Sequence, residues 1–181
     1  MVVHDGDGLI SPTLTTLCGF ARPSPIFSTG NMLTLHVRAE SQHVLYDISY
    51  SSSPDGPGCG GNITHFNGSF TSPLYPRVWN MTSVCRWNVR TLGLHSITLG
   101  FSQFDFNSAN QVECPTNYVE VYDGLNEIPE ARVARYCGHE IPAVITSAGP
   151  ELLVKMVTAG NNTGTGFRAW FNANDIGEFV P

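Results

Sequence analysis

From residue 59 onward, apolar side chains return at every second position in short runs separated by turn residues. Cys85-Arg-Trp87-Asn-Val89, Ile97-Thr-Leu99-Gly-Phe101, Tyr118-Val-Glu-Val121-Tyr122, Leu152-Leu-Val154-Lys-Met156 and Phe167-Arg-Ala169-Trp-Phe171 all carry the pattern. A period of two is that of a strand with one buried face. Several such runs with no helical segment predict an all-β fold, a two-sheet antiparallel β-sandwich. Trp87, beside Cys85, is expected in the core and not at a ligand. The aromatic content of 10%, with 18 Gly and 12 Pro, suits short strands joined by tight turns.

The chain also repeats itself, which sets its domain layout. Cys18-Gly19 returns as Cys137-Gly138, and at the same offset of 119 residues Pro23 matches Pro142, Ile26 matches Ile145, Ser28 matches Ser147 and Gly30 matches Gly149. Leu33, Leu35 and Val37 fall on Leu152, Val154 and Met156, while Asp5-Gly6 pairs with Asp123-Gly124 at an offset of 118. Tyr46 and Tyr50 answer Phe167 and Phe171 after a short insertion. The first copy matches only the last part of the second. The reading is therefore of residues 1–50 as the C-terminal half of a domain, a linker at 51–58 made of Ser, Pro, Asp and Gly, a complete domain at 59–173 and a tail at 174–181. Met1 is then not expected to be a natural start, and successive domains would sit almost end to end.

Charge and cysteine usage narrow the setting. Nine basic against fifteen acidic residues give a net charge of −6, the wrong sign for attraction to phosphate backbones, so no nucleic-acid partner is expected. No apolar run reaches the roughly 18 residues that span a bilayer, and His4, Asp5 and Asp7 behind Met1 do not form a signal peptide. Yet Asn62, Asn67, Asn80 and Asn161 each open an Asn-x-Ser/Thr acceptor for N-glycosylation. With widely spaced cysteines and no Cys-x-x-Cys pair, they favour a secretory history, at the cell surface or outside the cell.

The order of landmarks resembles the CUB domain family. Cys59-Gly-Gly-Asn-Ile, Gly68-Ser-Phe-Thr-Ser-Pro-Leu-Tyr-Pro76 and Cys85-Arg-Trp follow its opening; Phe101-Ser-Gln-Phe-Asp-Phe106, Cys114, Tyr118-Val-Glu-Val-Tyr-Asp-Gly124, Tyr136-Cys-Gly138, Pro142, Ser147 and Gly166-Phe167 follow in order. The resemblance covers 59 to about 172, and the first 50 residues match the second half of the same template. It implies a jelly-roll-like CUB sandwich with two bridges, Cys59 with Cys85 and Cys114 with Cys137. In the chain-entropy model each stabilises the fold by roughly 3.5 kcal/mol. Cys18 is left unpaired, which truncation of the first copy explains if its partner lies upstream of Met1; a free reactive thiol is the alternative reading. The Cys-Gly-Gly-Asn-Ile opening and the short linker are most similar to multi-CUB endocytic receptors. The implied partners are extracellular protein ligands and other CUB domains of the parent chain, with no direct membrane insertion. A second reading is a substrate-recognition module of a secreted tolloid-type metalloprotease.

Many CUB domains bind calcium through three acidic positions. Here those positions hold Asn107, Asn117 and Ala159, so neither a calcium site nor another cofactor is expected in the complete domain, although neighbouring domains could carry calcium. Asp123 is expected to shape its Tyr-Asp-Gly turn, and in the partial copy Glu40 aligns with the acid that Ala159 replaces in the complete one. The histidines at 4, 36, 43, 65, 95 and 139 are scattered, without zinc-helix spacing, and most are expected on the surface. No nucleophile elbow or phosphate loop occurs, and Gly164-Thr-Gly166 reads as a turn before the last strand; no catalytic residue is nominated. Loops 104–114 and 159–166 are the expected places for a binding surface.

Overall fold

The computed structural model describes residues 1–21, 23, 26–28, 30–38, 46–50, 58–107 and 113–175. Glu40, His43, linker residues 51–57, part of the 104–114 loop and the end of the tail lie outside the described residues. Among the described residues twelve strands are present: β1 (Val2–Asp5), β2 (Thr13–Thr16), β3 (Leu33–His36), β4 (Gly60–Ile63), β5 (Asn67–Thr71), β6 (Thr82–Arg90), β7 (His95–Asp105), β8 (Tyr118–Asp123), β9 (Arg132–Tyr136), β10 (Ile145–Thr146), β11 (Glu151–Ala159) and β12 (Gly166–Asp175). All five runs with the two-residue period are strands.

Strands β4 to β12 form the sandwich. One sheet has the order β4-β6-β11-β8-β9 and the other β10-β7-β12-β5. All pairs are antiparallel except β4 with β6. Between the sheets, Trp87, Val89, Val119, Val121, Leu152, Val154 and Met156 from the first face Phe70, Leu99, Phe101, Phe167 and Phe171 from the second. Trp87 lies in this core with ring centroids 5.5 Å from Phe70 and 5.2 Å from Phe167, as expected of a structural tryptophan. Its ring-to-ring geometry with Phe167 is edge-to-face, the arrangement that aromatic quadrupoles favour. Both implied bridges are formed, Cys59–Cys85 and Cys114–Cys137. Gly60 explains the Cys-Gly-Gly opening: at φ 98° it takes a left-handed backbone, and a methyl there would lie 2.1 Å from the Arg86 carbonyl oxygen. Only glycine lets β4 come this close to β6. Strand β12 runs two residues beyond the expected domain end at 173, because Asn174 and Asp175 still find partners in Ser96 and His95 of β7.

The N-terminal unit is a three-stranded sheet of order β2-β1-β3. Its pairing repeats that of β9-β8-β11 residue for residue under the sequence offsets. His4 opposite Thr34 and Val3 opposite Leu35 reproduce the alignment in which Tyr122 faces Leu153 and Val121 faces Val154. Val3 opposite Thr15 corresponds to Val121 opposite Ala134, and each pair is followed by an irregularity, after Val3 and after Val121. Ser28 Oγ donates to the Gly30 carbonyl at 2.7 Å, as Ser147 Oγ does to Gly149 at 2.7 Å. Gly19 and Gly138 share a positive φ, 80° and 88°. Residues 46–50, which match the start of β12, form no strand, and Tyr46 and Tyr50 are exposed. Among the described residues, that unit has no counterparts of β7 and β5 for them to pair with.

Candidate functional site

The three positions nominated from the sequence, Asn107, Asn117 and Ala159, meet at one end of the sandwich. Asn107 follows β7, Asn117 precedes β8 and Ala159 ends β11, so the loops after β7 and β11 converge there. Asn117 is the hub. It is 1% exposed, with a left-handed φ of 49° that asparagine tolerates better than most residues. Its Nδ2 donates to the Asn107 carbonyl at 2.9 Å and to Asn161 Oδ1 at 2.9 Å, while its Oδ1 accepts from the Ala159 backbone N–H at 2.9 Å. One side chain thus satisfies groups from both loops, with no atom left over.

A second buried amide, Asn162, extends the network. Its Oδ1 accepts from the backbone N–H groups of Asn107 at 3.1 Å and Gly164 at 3.2 Å, and its Nδ2 donates to the carbonyls of Trp79 at 3.1 Å and Gly164 at 2.9 Å. Sequence reasoning missed it, because the residue stands in the middle of a glycosylation triplet and its partners come from three separate segments. Asp105 completes this end of the sheet. Its Oδ1 pairs with His139 Nδ1 at 2.5 Å and its Oδ2 accepts from the Thr165 backbone and hydroxyl. Burial alone would raise the Asp105 carboxyl, but the bonds from Thr165 and His139 outweigh it and hold the group below the usual carboxylate range.

This donor set does not fit calcium. The ion gains its affinity from six to eight oxygens, several of them charged. Here an amide N–H points at the Asn107 and Asn161 oxygens that a cation would need, and Ala159 offers only a backbone N–H to the Asn117 oxygen. Among the described residues no cluster of three His, Cys, Asp or Glu side chains is placed to hold a metal. Asp123 lies at the other end of β8, where both carboxylate oxygens accept from the Ala148 backbone N–H at 3.1 Å. It braces the loop between β10 and β11.

The other sequence-nominated residues are spread over the surface. Asn62, Asn67, Asn80 and Asn161 are all exposed. Asn62 Oδ1 accepts from Asn88 and Asn161 Oδ1 from Asn117, which leaves the Nδ2 of each, the atom that takes a glycan, directed away from those bonds. Cys18 is exposed and makes no disulfide. His4 departs from the surface expectation: it is buried, with Nδ1 at 3.0 Å from the Ser11 carbonyl, because the Gly6–Ser11 turn folds over it. His139, isolated in sequence, finds its acid in space.

Sequence reasoning also missed Glu120, whose side chain is 2% exposed on the outer face of the five-stranded sheet. Arg132 Nη1 reaches its carboxylate at 2.9 Å, Arg135 Nη2 at 2.7 Å and the Tyr122 hydroxyl at 2.8 Å, with Lys155 Nζ at 3.5 Å. Lys155 also bridges to Glu127, which Arg86 holds. Burial pushes Glu120 upward, but these donors outweigh it and set the carboxyl below its ordinary range. The Arg86 hydrogen bond takes Glu127 down to about 2. A buried charge with this many partners is a structural clamp.

Comparison with known proteins places this geometry. The family model for the CUB domain matches residues 59–171. Cubilin of Rattus norvegicus is 33% identical over 170 residues, covering 93% of this chain and 5% of that protein. The bone morphogenetic protein 1 homolog of Strongylocentrotus purpuratus is 31% identical over 169 residues, covering 93% of this chain and 26% of that protein. Among solved structures, the MASP-1 CUB2 domain bound to Ca2+ superposes with a TM-score of 0.54 at 22% identity, covering 61% of this chain and 96% of that chain. The chain spans only 5% of the cubilin and 26% of the bone morphogenetic protein 1 homolog that it matches.

Proposed function

The chain belongs to the CUB domain family, and we propose that it serves as a non-catalytic, extracellular protein-binding module of a multi-CUB, cubilin-like receptor that captures ligands for endocytosis. The observation that carries this reading is the span of the likeness to cubilin, which covers 93% of the chain and so takes in the N-terminal unit, the linker and the sandwich together. The common register of β1–β3 with β8, β9 and β11 supports residues 1–50 as the second half of a CUB domain ahead of the complete one.

Within such an array this copy works without calcium. Its Asn117-centred amides close the loop end that an ion would otherwise organise, so ligand capture through acidic residues falls to neighbouring domains, and this copy is a spacer carrying glycans at Asn62, Asn67, Asn80 and Asn161. Exposure of all four asparagines supports their modification. A specific observation favours a second reading, a substrate-recognition module of a secreted tolloid-type metalloprotease: the likeness to the bone morphogenetic protein 1 homolog has nearly the same identity and the same span of this chain. Sequencing the parent transcript in both directions decides between them. Many further CUB copies support the receptor; a zinc-protease domain upstream moves the function to the secreted enzyme.

A further inference from the structure

One aromatic side chain of the N-terminal unit is packed into the sandwich. The Phe27 ring meets Trp79 edge-on, with centroids 5.1 Å apart and planes at 72°, and it packs against the core cluster of the complete domain. Gly58 also lies against the ring: a methyl on it would lie 3.2 Å from Phe27 Cδ1.

The position of Phe27 in its own unit shows why the contact is not a private core of that unit. Under the repeat, Ile26 matches the buried Ile145, Phe27 matches Thr146, and Ser28 matches Ser147 with the same side-chain hydrogen bond to a glycine two residues on. Thr146 is exposed on β10, an edge strand. A large aromatic group at that outward position faces a neighbour and not its own sheets.

The receiving side is held in place. Trp79 is 4% exposed; its indole Nε1–H donates to Ser83 Oγ at 2.9 Å, Ser83 is paired with Thr158 Oγ1 at 2.8 Å, and its carbonyl is held by Asn162. Asn162 in turn binds Asn107, so the slot for Phe27 is tied to the same amides that stand at the family's calcium positions.

We propose that Phe27 is an interdomain plug: the preceding CUB unit docks onto the amide-laced end of the sandwich by packing Phe27 against Trp79 and Gly58, which makes that end a fixed joint in the array. The joint does not depend on which ligand the parent protein captures. It accounts for an asparagine network there, since a joint needs rigid loops and gains nothing from an open coordination site.

The test uses the 181-residue chain, uniformly labelled with nitrogen-15. In Phe27→Ala the Trp79 indole N–H resonance shifts while that of Trp87 stays, and the amides of β1–β3 relax as a separately tumbling body with a shorter correlation time than the sandwich. Gly58→Val crowds the slot from the end of the linker and leaves Phe27 in its own unit, so it gives the same Trp79 shift and the same separation even if Phe27→Ala were to loosen β1–β3. The proposal is overturned if both variants leave the Trp79 resonance in place, or if β1–β3 already tumble independently in the unaltered chain.

Discussion

Leu33 and Leu152 stand at the same place in the same three-strand register, yet Leu33 is 38% exposed and Leu152 is 0% exposed. Leu35 and Val154 repeat the contrast, at 39% and 0%. The outer faces differ as well. Where the sandwich places Glu120, Tyr122, Arg132, Arg135 and Lys155, the N-terminal sheet has Val2, His4, Thr13, Thr16 and His36. Pairing and its irregularity thus survive the loss of both the opposing sheet and the charged clamp. Strand register here is set by local turn geometry and the two-residue pattern, whereas burial needs the second sheet.

The sharpest way to break the comparison is to truncate the matched leucines. Leu152→Ala should cost the sandwich about 3–5 kcal/mol, as expected for a fully buried leucine, and Leu33→Ala less than about 1 kcal/mol, as for an exposed one. Urea unfolding followed by tryptophan fluorescence reports the first, since all three tryptophans (Trp79, Trp87, Trp170) lie in the sandwich; amide exchange in β1 and β3 reports the second. Equal costs would mean that the inner face of the N-terminal sheet is covered in solution.

Next in size is the bridge. Cys59→Ser combined with Cys85→Ser should lower sandwich stability by about 3.5 kcal/mol in the chain-entropy model, without changing exchange in β1–β3, where no disulfide is present. Asn117→Ala comes third. It orphans the Ala159 N–H and strips the Asn107 and Asn161 oxygens of a donor, for an expected loss of about 2 kcal/mol in the same urea experiment. A loss near zero would show that water replaces the amide.

The outer-face clamp distinguishes the units by pH. Glu127 is held at about 2 against an ordinary 4.5, and Glu120 is also lowered. A depressed carboxyl contributes stability above its unfolded value and loses it as pH falls toward its folded value. Sandwich melting temperature should therefore hold above pH 4.5 and drop steadily from there toward pH 2, and Glu127→Gln should flatten that drop. The clamp positions of the N-terminal sheet carry no carboxylate and contribute no such decline. Smallest of all is the calcium response: millimolar Ca²⁺ should leave the melting temperature of the chain where Mg²⁺ leaves it. A rise of several degrees with Ca²⁺ alone would restore the loop end as an ion site.

Much of this is legible in the amino-acid sequence. Alternation spelled out β6, β7, β8, β11 and β12, the repeat located the N-terminal sheet, and the likeness to a family's landmarks paired the cysteines and pointed to Asn107, Asn117 and Ala159. What escaped were side chains whose meaning lies in remote partners. Asn162 joins segments near residues 79, 107 and 164; Glu120 is an acid inside an apolar strand until Arg132 and Arg135 come alongside; Phe27 looks like any loop aromatic until Trp79 meets it. One-dimensional pattern carries period and spacing, and it carries nothing about which distant atoms close a hydrogen-bond account.

The shared register carries a hazard for assembly. Strand β6 pairs along the full length of β11, and β3 presents an uncharged backbone edge at the matching position of the N-terminal unit. To a chain emerging from the ribosome the two edges are nearly interchangeable templates, and swapping between neighbouring repeats is the characteristic failure of such proteins. Each disulfide closes within its own half of the sandwich, over 26 and 23 residues. Those short covalent loops form units that can mature before the halves choose their partners, so oxidation proofreads each half but leaves the choice between β3 and β11 to packing alone.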